Sequence, residues 1–119
     1  MDLKEYFKKK KGFGVLSTAD DKGVVNSAPY ASPHVIDDTH VAFIMGDRLS
    51  HANIRKNPYA VYLFKEGLFG YSGKRLYLKK ERESDDQGLI VNTCKRLEHC
   101  GYWSNVSAWQ QSPRWHLDK

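Results

Sequence analysis

Two periods alternate in the spacing of hydrophobic residues along this chain, one typical of helices and the other of strands. Leu3, Tyr6 and Phe7 recur at helical spacing with lysines on the opposite side, which predicts an amphipathic helix over residues 2–10. The segments that follow are short, apolar and bounded by turn-forming residues, which predicts strands. These strands are expected at residues 15–18, from 24 onward, and at 40–45, 59–64 and 71–83.

Turn-forming residues between these segments predict how the first strands are connected. Residues 20–23 read DDKG, and Gly23 can adopt the positive φ that a tight hairpin turn needs. Pro29 interrupts the returning strand, and because proline has no N–H to donate, it indicates an edge or a bulge. We therefore expect a bend or a bound ligand near Pro29.

The segment 59–64 is apolar on both of its alternating faces. Its side chains divide into Tyr59, Val61 and Leu63 on one face and Ala60, Tyr62 and Phe64 on the other. A strand this short must bury both faces to be stable in water. We expect one face to fill a barrel and the other to meet a second subunit or a ligand.

The end of the chain shows helical spacing again. Ser84 and two aspartates could begin a helix that ends at Gly101, with apolar residues recurring at Leu89, Ile90, Thr93, Leu97 and Cys100. All three tryptophans, Trp103, Trp109 and Trp115, lie beyond or near its end, and a last strand is expected around residues 102–109. The order of elements predicts one domain over residues 1–119, mainly β with flanking helices, built as a small antiparallel barrel.

Composition narrows the choice of partners and compartment. The chain has 40% hydrophobic residues and a net charge of +5, part of it in the lysine run 8–11, which mildly favours anionic partners such as phosphorylated cofactors. It has neither an apolar run of about 20 residues nor a signal-like start, so we expect a cytoplasmic protein that contacts no membrane. Cys94, Cys100 and the five histidines have no standard metal-binding spacing, and both cysteines are interpreted as free thiols.

A candidate anion site lies where the strand 41–45 meets the next helix. Ser50 is predicted as the N-cap of a helix about two turns long, which Asn57-Pro58 ends. The positive end of the helix dipole and the Arg48 guanidinium favour an anion, and Ser50 and Asn53 offer hydrogen bonds. The same residues are also compatible with a plain capped helix that carries a surface arginine.

Residues 41–53, followed by Asn57-Pro58 and the apolar strand, resemble the FMN-binding split-barrel family, which includes pyridoxamine 5′-phosphate oxidase. A second matching part is the strand 25–28, and the likeness covers roughly residues 13–83. The resemblance implies a split β-barrel that forms a homodimer with FMN at the subunit interface. A small molecule or a redox protein would then supply electrons.

The resemblance also implies which residues hold the cofactor. The phosphate would lie at Arg48, Leu49 and Ser50, with Asn53 nearby. The flavin ring would lie along Asn26, Ser27 and Ala28. The backbone near Ile44 and Met45 would add further contacts. The oxidase carries an adjacent Arg-Lys pair where this chain has Leu49 and Ser50, and its substrate-binding C-terminal residues have no clear match beyond the superficial likeness of residues 114–116. The resemblance therefore does not extend to vitamin B6 oxidation.

Three functions follow from these observations. The first is an FMN-dependent oxidoreductase or flavin electron carrier whose substrate and catalytic residues the sequence does not identify. The second is a split-barrel module for another cofactor, either F420 or haem. The third is a non-enzymatic basic module that binds nucleic acid through the lysine run 8–11, although a solvated helix face explains that run more simply.

Overall fold

A computed structural model describes residues 2–46, 48–67, 70, 72–86, 89–97 and 101–103 of the chain. The described elements are α1 (Leu3–Lys9), β1 (Gly12–Ala19), β2 (Val25–Pro29), β3 (His34–Asp37), β4 (His40–Met45), α2 (Leu49–Lys56), β5 (Tyr59–Glu66), β6 (Gly73–Asp86), β7 (Leu89–Arg96) and β8 (Gly101–Trp103). Seven strands form one antiparallel path in the order β2-β1-β5-β6-β7-β4-β3, and β8 pairs with the start of β6. The prediction of a mainly β, antiparallel fold with flanking helices is confirmed.

The inner face of the sheet holds the core. On β5, Ala60, Tyr62 and Phe64 are all buried, as the alternating pattern predicts. Helix α1 packs its own buried residues against them, and the rings of Phe7 and Phe64 meet edge to face with centroids 5.2 Å apart. The face of β5 that carries Ala60, Tyr62 and Phe64 thus fills the interior, as was expected for one of its two faces.

The predicted helix from Ser84 to Gly101 is wrong, because β6 continues to Asp86 and β7 occupies residues 89–96. Strand β7 pairs with β6 on one edge and with β4 on the other, so hydrogen bonds to two neighbouring strands satisfy its backbone. β-branched residues such as Ile90 and Val91 fit this pleated surface well. The helical spacing of the apolar residues was therefore not decisive, and tertiary pairing overrode it.

Two further details differ from the sequence-based expectations. The sequence pattern predicted no separate strand at His34–Asp37, which forms β3, a four-residue strand that pairs with β4. The last strand is described only at Gly101–Trp103, while Trp109 and Trp115 lie outside the described residues.

Among the described residues, no helix is long and apolar enough to cross a lipid bilayer.

The linker after β2 is fixed from inside the barrel. The buried Tyr62 side chain donates a hydrogen bond from its hydroxyl to the Tyr30 carbonyl at 3.1 Å. Gly14 leaves the space for this contact, because a Cβ at that position would overlap the Tyr62 hydroxyl. Burial raises the pKa of the Tyr62 hydroxyl to about 12, so this donor keeps its proton at neutral pH. Tyr30 is thereby held where β2 leaves the sheet.

Candidate functional site

An open cleft of about 460 Å³ lies between β2, the end of β4 and the start of α2. This is the junction at which the sequence predicted an anion site. Its lining residues are Asn26, Ala28, Pro29, Tyr30, Ile44, Gly46, Arg48, Leu49 and Ser50.

The start of α2 forms one wall of the cleft. Arg48 is the N-cap residue, with an extended backbone at φ −131° and ψ −170°, and its side chain makes no capping hydrogen bond. The prediction of Ser50 as the N-cap is wrong, because the first helical hydrogen bond already runs from the Ala52 N–H to the Arg48 carbonyl at 3.0 Å. Ser50 lies inside the first turn, is buried, and accepts a hydrogen bond from Asn26 Nδ2 at 3.4 Å.

The electrostatics of this wall favour an anion. Arg48 is exposed and has no ion-pair partner among the residues that the structure describes. The first turn of α2 contains no acidic residue, and no acidic residue lines the cleft within the described part of the chain. The helix dipole and the guanidinium therefore act in the same direction, which suits a phosphate group.

The residues expected to lie along the flavin ring do not all face the cleft. Asn26 and Ala28 line it, whereas Ser27 lies on the opposite face of β2 and shares a hydrogen bond of 2.7 Å with Ser17 Oγ. This alternation follows from the period of two along a strand. Only the backbone of Ser27 remains available to a ligand from that side.

Two other predicted contacts have side chains engaged elsewhere. Asn53 is buried and donates from Nδ2 to Thr18 Oγ1 at 3.1 Å, so it attaches α2 to β1. Met45 is buried in the core, and its sulfur accepts a hydrogen bond from Asn92 Nδ2 at 3.2 Å. Of the predicted residues, the structure brings these together at the cleft: Asn26, Ala28, Ile44, Arg48, Leu49 and Ser50.

Tyr30 is a cleft residue that the sequence analysis did not select. It lines the main cleft and also a neighbouring cleft of about 380 Å³ that contains His34, so the two spaces share a wall. Its ring packs edge to face on Phe43, with the centroids 6.0 Å apart. The sequence did contain a signal for Tyr30: the preceding residue, Pro29, indicated a bend or a bound ligand at this point.

Comparison with known proteins rests on structure alone, because no protein-family model and no curated protein matches the sequence. The fold is similar to an FMN-binding protein from Syntrophomonas wolfei, with 15% identity, 88% of this chain and 86% of that chain covered, and a TM-score of 0.73. A protein from Lactobacillus delbrueckii proposed to be a pyridoxamine 5′-phosphate oxidase has 15% identity, coverage of 82% and 89%, and a TM-score of 0.68. An F420 reductase has 11% identity, coverage of 82% and 95%, and a TM-score of 0.65.

These solved structures have the fold that the resemblance implied. Each is covered over most of its own length, so the likeness concerns the whole domain rather than one motif. At identities of 11–15% the similarity is one of fold. The chain has the split-barrel fold of the FMN-binding and pyridoxamine 5′-phosphate oxidase-like proteins.

Proposed function

We propose that this protein binds FMN in the cleft between β2, β4 and α2. The observation that carries the proposal is the exposed Arg48 beside a helix start that its side chain does not cap, facing β2 across the cleft. The phosphate would lie against Arg48 and the first turn of α2. Asn26 offers a polar group opposite, while Ala28 and Ile44 offer an apolar surface for a ring.

The proposed activity is that of a flavin-dependent oxidoreductase or electron carrier. FMN, when bound, would supply hydride or single-electron transfer. The residues of this chain would bind the phosphate, orient the ring and exclude water from one side of it. Tyr30 and His34 line the space next to the proposed ring site, where a reaction partner could approach.

We further propose that two copies associate through the outer face of β1, β2 and β5. Large apolar side chains are exposed there: Phe13 is 58% exposed, Val25 69% and Tyr59 53%, and Leu63 adds to the same face. In the sheet Leu63 lies opposite Val15, so the patch is continuous across strands. Apolar patches of this kind mark protein interfaces, and a second copy would give β5 the partner that its second face requires.

The proposed setting is the cytoplasm, with a small molecule or a redox protein as the electron donor. The free thiol of Cys94 is compatible with a reducing compartment.

The test is a titration of the purified protein with FMN and, separately, with riboflavin, which lacks the phosphate. Flavin fluorescence monitors the binding. Arg48→Ala removes a charge-assisted contact of about 1.5–3 kcal/mol and should weaken FMN binding about 10- to 100-fold. Riboflavin binding should change little. Lys95→Ala is the matched control, because it removes one exposed cation that does not line the cleft and lies opposite His40, at the other end of β4. Wild-type protein that binds neither flavin, or an Arg48 variant that behaves as the control does, would contradict the proposal.

F420 is the second candidate, because an F420 reductase shares the fold. It also carries a phosphate, so the same anion site would serve it. Titration with F420 beside FMN decides between them, and tighter binding of F420 would transfer the proposal to that cofactor.

A further inference from the structure

Helix α2, which carries the proposed phosphate site, is attached to the sheet mainly by polar contacts. Its buried residues are Ser50, His51, Asn53 and Ile54, so only one of them is apolar. A single apolar side chain leaves the orientation of an eight-residue helix weakly specified. Directional hydrogen bonds must therefore fix how its first turn faces the cleft.

On one side, α2 is attached to β2 and β1. Asn26 on β2 donates to Ser50, and Asn53 donates to Thr18 on β1. These two contacts hold one side of the helix. Contacts on its opposite side are needed to stop the helix from rotating about its own axis.

On the other side, one carboxylate on β6 holds two residues of α2. Glu83 Oε1 lies 3.0 Å from His51 Nε2, and the Arg55 guanidinium donates to both carboxylate oxygens at 3.3 and 2.7 Å. His51 is only 2% exposed, so its imidazole is buried where it meets Glu83. His51 and Arg55 are four residues apart and share a helix face, so one acceptor fixes both the rotation and the tilt of α2.

The path of β6 shows how Glu83 comes to face the helix. The pairing of β6 with β7 shifts register between Lys80 and Arg82, with Lys80 opposite Cys94 and Glu83 opposite Asn92. Cys94 and Asn92 are both buried on the inner face of β7. In a regular strand Arg82 would be the next residue after Lys80 to face inward. The irregularity inserts one extra residue between them, so Glu83 faces inward instead. Bulges commonly redirect a side chain in this way.

The charges around Glu83 keep it ionised. The hydrogen bond from Arg55 lowers its pKa most, and the contacts with His51 and Lys80 add to this, so that its pKa falls to about 2. At neutral pH Glu83 is therefore a carboxylate, which accepts hydrogen bonds and donates none.

We propose that Glu83 is a positioning residue for the phosphate site: through His51 and Arg55 it holds the first turn of α2 toward the cleft and so determines how strongly the protein prefers a phosphorylated flavin. This inference rests on the proposed function and goes further, because Glu83 does not line the cleft. It acts through the helix and has no contact with the ligand.

The test compares Glu83→Gln with Glu81→Gln, which removes an exposed carboxylate two residues away on the same strand that contacts His40 rather than α2. Glu83→Gln should raise the dissociation constant for FMN about tenfold and leave that for riboflavin within about twofold, since only the phosphate meets the displaced turn. Amide hydrogen exchange over residues 52–56, whose N–H groups donate the helical hydrogen bonds of α2, should become faster in the ligand-free variant. Glu81→Gln should change none of these quantities.

Arg55→Ala is the second variant, since its side chain is exposed and its loss leaves the core intact. It should show the same selectivity change at a smaller size. If Glu83→Gln weakens FMN and riboflavin equally, or changes neither while wild type binds FMN, the positioning role is overturned and the proposed function stands. If wild type binds neither flavin, the proposed function fails and this inference fails with it.

Discussion

The contact between Asn53 and Thr18 offers a sharp test of which residues of α2 serve the fold and which serve the ligand. The resemblance implied that Asn53 lies near the cofactor phosphate, whereas the structure engages its amide with Thr18 at 3.1 Å. The two side chains are 4% and 2% exposed, so water does not replace a lost partner. Asn53→Ala should therefore reduce stability more than it reduces binding.

The magnitude follows from the burial of both partners. Removing Asn53 loses a hydrogen bond worth about 1 kcal/mol and leaves the Thr18 hydroxyl buried without its donor, a further cost of about 1–2 kcal/mol. The expected loss is about 2–3 kcal/mol in the free energy of unfolding, or about 8–12 °C in Tm for a domain of this size. Thr18→Val should cost a similar amount, because it leaves the Asn53 amide without its acceptor.

A double-mutant cycle measures the contact itself. Thr18→Val combined with Asn53→Leu replaces both partners by apolar groups of similar shape, so the double variant should lose about 1–2 kcal/mol less than the sum of the two single changes. Urea unfolding followed by circular dichroism gives the four free energies. Strictly additive losses, or an Asn53→Ala variant of wild-type stability that no longer binds FMN, would refute the reasoning and return Asn53 to the phosphate site.

Three further outcomes are expected. The pKa of Glu83 is lowered from 4.5 to about 2, so its carboxylate contributes stability that is fully present above about pH 4.5 and is lost as the pH falls toward 2. The free energies of unfolding of wild type and Glu83→Gln, measured with urea, should therefore converge at the acid end, and a difference that is constant with pH would contradict this. Burial raises the pKa of Cys94 to about 12, so in a Cys100→Ser background the native protein should resist thiol alkylation at pH 8, and rapid labelling would show that the strand opens. Leu63→Glu places a charge in the exposed apolar face and should convert the proposed dimer to a monomer in light scattering, whereas an unchanged mass would remove β5 from the interface.

The sequence by itself determined the elements whose signals are local. The spacing of Leu3, Tyr6 and Phe7 fixed α1, the two-sided apolar pattern fixed β5, and Asn57-Pro58 ended α2. These signals depend on backbone preferences and on which side of a single element is apolar. They were sufficient to predict an antiparallel barrel and to direct attention to the cleft where Arg48 stands at the start of a helix, which is the proposed anion site.

Only the tertiary structure decided features that depend on partners distant in the chain. Residues 89–96 form a strand because β4 and β6 pair with both of their edges. Ser27 and Asn53 turned out to contact other strands, and Tyr30 reaches the cleft because Tyr62, 32 residues away, holds its carbonyl. The inward turn of Glu83 depends on an irregular pairing that no local pattern records. Side-chain orientation across strands follows from register, and register is set by the whole sheet rather than by any one segment.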